Sequence, residues 1–219
     1  MEGKMIGFVG SDKYELILYL SRILYHLGKK VLLVDYAENE ALLQSITVPE
    51  TLKEDTSYID YRGIDFIQGK YFRFKMKQEY DYILMDFGYI MDNEGMLRCS
   101  KVIFVTDLQL HNLKRIKNIE YVENEDKCLV IKDVFQCKIK PEYIINQIGF
   151  PIDKNQIFIL YQDSVDLKYK VSSQYDHKFT FHKLSKPTQC FLKDITKMMD
   201  NQLEEKDINL AYKKAERGL

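Results

Sequence analysis

Apolar residues along the chain fall into two alternating rhythms: short unbroken runs, and longer stretches with helical spacing. Met5 to Val9 is a continuous apolar run that predicts a buried strand ending at Gly10. From Tyr14 to Leu27, the residues Leu16, Ile17, Leu20, Ile23, Leu24 and Leu27 recur as one helical stripe. Gly28 then predicts a left-handed C-terminal cap, and Lys29 and Lys30 suit the negative end of the helix dipole. Val31 to Asp35 is an almost wholly apolar second strand, of the kind buried on both faces. Together these form a βαβ unit whose right-handed crossover makes the two strands parallel.

The same kind of run returns at Ile64 to Ile67, Tyr82 to Asp86, Val102 to Val105, Cys128 to Ile131 and Gln156 to Tyr161. A weaker stretch lies near Thr180, Phe181 and His182, and a long helical pattern starts at about Thr188. Strands alternating with helices predict an α/β, doubly wound and mostly parallel sheet with helices on both faces. With no repeat and no linker, residues 1–219 are expected to form a single domain with a C-terminal helical tail from about 188.

Composition narrows the classes of function. The chain has 32 basic and 33 acidic residues, a formal net charge of −1, and 46% hydrophobic residues. That excludes global disorder and any overall attraction to nucleic acid or anionic lipid. No apolar run approaches the roughly 18 to 20 residues needed to cross a bilayer, and the N-terminus has no secretory pattern, so a cytoplasmic location is expected. Cysteines 99, 128, 137 and 190 have no metal-ligand spacing and are expected to be buried, reduced thiols.

Ligands of such sheets bind beyond the carboxyl ends of the strands. These ends fall at Gly10 to Tyr14, Asp35 to Asn39, Asp86 to Tyr89, Thr106 to Leu110 and Lys132 to Phe135. The first has a strand entering a helix through a glycine turn, where free N–H groups and the helix dipole favour a phosphate. A working P-loop also needs a second glycine and a hydroxyl for Mg²⁺, and Gly10-Ser11-Asp12-Lys13-Tyr14 has neither. Ser11 and Asp12 can instead cap the helix N-terminus.

The segment from Met5 to Asn39 resembles the opening of the ParA/MinD group of P-loop ATPases, including the pilus-assembly relatives called CpaE or TadZ. Glu79 to Gly88 resembles the strand that ends in the Walker B aspartate, and Ser100 to Ile116 and Lys127 to Val134 resemble the segments that follow. The similarity runs in order over roughly residues 4–150, and it implies a P-loop NTPase-like fold. By this resemblance Lys13 takes the place of the phosphate-binding lysine, Asp86 that of the Walker B aspartate, and Asp35 that of the first acid after the second strand. Ala37 falls where active members carry the acid that orients water, and Tyr14 and Glu15 replace two hydroxyl residues. The loop is about four residues shorter than the family's, and the family's early lysine has no match.

Gly10, Ser11, Asp12, Lys13, Tyr14, Asp35, Asp86 and Gly88 are therefore the candidate nucleotide-binding residues; no catalytic or metal-ligating residue is assigned. The resemblance implies a degenerate, hydrolysis-deficient protein that binds, localises or assembles, with pilus or secretion machinery as one setting. An alternative is an active or nucleotide-switched ATPase using ATP and Mg²⁺ with an atypical loop, and a second is a DNA-associated partition protein. Protein partners or a homodimer are expected. The alternating segment Lys70 to Lys77 could present a basic strip to phosphate groups or an acidic partner, and Lys114, Arg115 and Lys117 form a second basic group, against solvated helix or edge strand as the structural outcome. His26, His111, His177 and His182 assemble no catalytic group. The tail from Asn201 carries mixed charge, unlike a basic membrane-surface helix, and reads as a packing or partner helix.

Overall fold

A computed structural model describes residues 3–46, 58–89, 93–119, 126–176, 181 and 184–218. Eight strands form one sheet: β1 (Lys4–Gly10), β2 (Val31–Asp35), β3 (Ile59–Tyr61), β4 (Ile64–Gln68), β5 (Tyr82–Asp86), β6 (Lys101–Thr106), β7 (Lys127–Val134) and β8 (Ile157–Tyr161). Their order across the sheet is β3-β4-β2-β5-β1-β6-β7-β8. Every pairing is parallel except that of β3 with β4. The helices are α1 (Tyr14–His26), α2 (Ala41–Gln44), α3 (Asn93–Leu97), α4 (Leu110–Lys117), α5 (Pro141–Gln147), α6 (Ser164–Asp176), α7 (Lys186–Met199) and α8 (Glu205–Glu216).

Alternation along each strand splits the core in two. Ile6 and Phe8 of β1 face α1, α7 and α8, whereas Met5 and Val9 face α4 and α5. The α1 stripe is buried as predicted, and the helix ends in a Schellman arrangement: Gly28 N–H donates to Tyr25 O (2.9 Å), and Lys29 N–H to Leu24 O (3.1 Å). Gly28 has φ +76°, which glycine adopts without strain.

Several expectations need correction. The pattern from about Thr188 is two helices, since the chain turns between Asp200 and Glu204. Ser185 caps α7, and α8 buries Ile208, Ala211, Tyr212 and Ala215 against α1 and α7, so the tail from Asn201 is a packing helix, one of the two roles expected for it. Thr180 and His182 lie outside the described residues; Phe181 packs edge-on against Tyr19 and Tyr212 and forms no strand. Lys70 to Lys77 is neither a helix face nor an edge strand but lies in two 3-10 turns that bury Phe72 and Met76, because the apolar side chains are drawn under the sheet while the lysines stay outside. Cys99 and Cys128 are buried, but Cys137 is half-buried and Cys190 is exposed on α7. His26 is half-buried, with its pKa pulled down to about 4 by burial and by nearby Arg22 and Lys214.

The sequence pattern missed β3. It is a three-residue strand joined to β4 by Arg62 and Gly63, both at positive φ (57° and 80°), the backbone of a tight hairpin.

Candidate functional site

The carboxyl ends of β1, β2 and β5 place three ionisable side chains together. Asp35 and Asp86 are register partners in adjacent strands, and both are buried. Lys13, at the end of the β1–α1 turn, is also buried and puts its ammonium 2.6 Å from Asp86 Oδ1 and 3.3 Å from Gly10 O. The same Asp86 oxygen accepts from Gly88 N–H at 2.8 Å. The ammonium therefore neutralises a carboxylate of its own protein.

Asp35 has a different role. Its carboxylate accepts from the backbone N–H groups of Ala37 (3.0 Å), Leu42 (3.1 Å) and Leu43 (3.3 Å), fastening the β2–α2 turn. Burial, and then the neighbouring Asp86 charge, push its pKa up to about 7 against the opposing pull of those N–H groups.

The turn itself is closed by its neighbours. Gly10 N–H donates to Gly88 O at 2.7 Å, and Ser11 N–H to Val105 O at 2.8 Å. Gly10 is obligatory here: φ is +118°, and a Cβ would lie 2.0 Å from the Val105 carbonyl oxygen. The Ser11 hydroxyl is 3.1 Å from the Tyr89 hydroxyl, which donates to Asn112 Oδ1 at 2.7 Å, and Arg115 stacks 3.6 Å from the Tyr89 ring centre. These groups wall a cleft of about 380 Å³ that also reaches Ala37 and Asp86.

Neither Ser11 nor Asp12 caps α1, contrary to the sequence reading. Lys13 holds the cap position without a side-chain bond, because Ser11 is engaged with Tyr89 and the Asp12 carboxylate turns toward Lys170, 3.5 Å away. Burial and the Glu15 charge raise the Asp12 pKa.

The surroundings of Glu15 are not marked in the local sequence. Its Oε1 is bonded to Lys132 Nζ and lies 3.1 Å from Lys170 Nζ, and Lys132 also donates to Asp12 O at 2.8 Å. The Glu15 side chain is only 13% exposed, and that of Lys132 5%. Burial alone would raise the Glu15 pKa, but the two ammonium groups hold it down to about 2. The one available signal was Lys132, which follows directly on the apolar run from Cys128 to Ile131. Tyr14 is tied to Gln174 on α6, and burial pushes its pKa up to about 12.

A magnesium-bound triphosphate does not fit this donor set. Its lysine is paired with Asp86, two turn N–H groups are spent on carbonyls, and an ionised carboxylate with two bound lysines stands in the first turn of α1. Among the described residues, no group of three or more His, Cys, Asp or Glu side chains could hold a metal ion, and no helix is long and apolar enough to cross a membrane.

No protein-family model matches the chain, and no curated protein matches it by sequence. Solved structures do match it. A ParA family ATPase from Chlorobium tepidum TLS aligns at TM-score 0.57 and 16% identity, over 96% of this chain and 98% of that one. The MinC:MinD cell division protein complex of Aquifex aeolicus aligns at TM-score 0.61 and 14% identity, over 92% and 97%. A plasmid partition protein from Borrelia burgdorferi aligns at TM-score 0.52 and 13% identity, over 93% and 100%. The mostly parallel eight-stranded sheet, with its glycine turn leading into α1, thus has the fold of the ParA- and MinD-type P-loop ATPases.

Proposed function

We propose that this chain is a hydrolysis-deficient ParA/MinD-like protein that acts as a binding, localisation or assembly component. The observation that carries the reading is Glu15, a carboxylate clamped by Lys132 and Lys170 in the first turn of α1. The N-terminus of that helix would favour an incoming anion, and here the protein supplies the anion itself. Lys13, closed onto Asp86, supports the same reading from the other side of the turn. Ala37 at the end of β2 offers no group to orient water. A protein partner is part of the proposal, in keeping with the MinC:MinD complex among the structural neighbours, and a pilus or secretion assembly is the setting that the sequence resemblance suggests.

The reading is tested by assaying phosphate release from ATP and Mg²⁺ by the purified chain and by Lys13→Ala. Release at the buffer background for both proteins is expected. Magnesium-dependent turnover that Lys13→Ala abolishes while the variant stays folded would sink the proposal. In the DNA-binding alternative the segment Lys70 to Lys77 would act through its lysines, Arg73 and the exposed Tyr71, since Phe72 and Met76 turn inward.

A further inference from the structure

Helix α6 is built inside out. Its protein-facing positions are polar: Asp166 accepts from Ser185 N–H and from the Ser185 and Thr188 hydroxyls, Lys170 pairs with Glu15, and Gln174 bonds Tyr14. Ser173 is the only buried residue of the helix. The apolar residues point outward, with Leu167 at 42% exposure, Val171 at 47% and Tyr175 at 82%. Spaced four apart, these three form a single stripe along the helix. An amphipathic helix normally turns that stripe to the core, whereas here, among the described residues, it stays exposed.

The stripe also contains both halves of a joint. Tyr175 projects near one end, and Leu167, one turn from the other end, lines with Tyr161 and Phe191 a small, mainly apolar cavity of about 60 Å³ whose wall also carries Glu15, Lys132 and Lys170. The two features are eight residues apart, roughly 12 Å along the helix. If two copies of α6 cross antiparallel about a two-fold axis at Val171, each Tyr175 meets the Leu167 cavity of the other copy. Lys168 and Asp176 flank Leu167 and Tyr175, so the same crossing brings unlike charges together, whereas a parallel crossing sets like against like. The exposed parts of Tyr161, Val165, Leu167, Val171 and Tyr175 sum to roughly 500 Å² per copy, on side-chain areas up to about 250 Å². Two copies would bury about 1,000 Å², the lower limit for a specific but weak interface.

We infer that α6 is a self-association face, through which a second copy of this chain docks antiparallel and isologously without nucleotide. The expected dissociation constant is on the order of 10 µM. Sedimentation equilibrium of the nucleotide-free chain, from about 1 to 300 µM, should show a reversible monomer–dimer equilibrium. Tyr175→Ala, at an exposed position that leaves circular dichroism and melting temperature unchanged, should weaken it at least tenfold. Lys168→Asp and Asp176→Lys should each weaken it, and their combination should restore it. A chain that stays monomeric throughout that range, or a dimer indifferent to Tyr175→Ala, overturns the inference. Failure of the double exchange to restore association overturns the antiparallel arrangement.

Discussion

Replacing Glu15 by Gln keeps the shape of the side chain and removes the charge that Lys132 and Lys170 share. The effect follows from the carboxyl group's own titration: its pKa lies near 2 in the folded chain against an ordinary 4.5. By linkage, the ionised form contributes about 3 kcal/mol of stability at neutral pH. The sign is that of a depressed acid: this contribution is complete above about pH 4.5 and is lost as pH falls toward 2. Urea unfolding of both proteins at a series of pH values measures it. Glu15→Gln should lose about 3 kcal/mol at pH 7, and the gap should narrow below pH 4.5 and close near pH 2. A gap below about 1 kcal/mol at pH 7, or one that stays constant down to pH 2, would refute the idea that the two lysines hold this carboxylate as an internal anion.

Lys13→Ala leaves the buried Asp86 carboxylate without its cation and should cost about 3 kcal/mol in urea unfolding at neutral pH, since breaking a buried pair exceeds the loss of an exposed one. Asp35 runs opposite to Glu15. Its raised pKa, about 7, means that the folded chain holds a proton that the unfolded chain has released, so this carboxyl lowers stability progressively as pH rises from about 4 to 7. Asp35→Asn should flatten that part of the melting-temperature profile, and an unchanged slope would show that Asp35 does not titrate there.

The elements that were legible in the sequence are those whose signal is local. β1, β2 and β5 are apolar runs buried on both faces, and α1 has a stripe, a glycine cap and a following strand within a few residues. β3 escaped because three residues carry no period, and its only mark is the Arg62-Gly63 turn. The join between α7 and α8 was hidden because no glycine or proline marks it between 188 and 217. At the candidate site, Lys13, Asp35 and Asp86 could be placed because each ends or follows a strand. Glu15 was visible only as a misfit, because the lysine that clamps it lies 117 positions away. The capping role given to Ser11 and Asp12 failed for a similar reason. Their competing partners, Tyr89 and Lys170, come from distant parts of the chain, and tertiary bonds outcompeted the local ones.

Equilibrium dialysis of labelled ATP with Mg²⁺ against the wild-type chain tests most directly whether the turn before α1 is already filled by the protein's own charges. The account predicts no saturable uptake at nucleotide concentrations up to the millimolar range, with Glu15 and Lys13 both in place. Stoichiometric, magnesium-dependent binding that disappears in folded Lys13→Ala would contradict it.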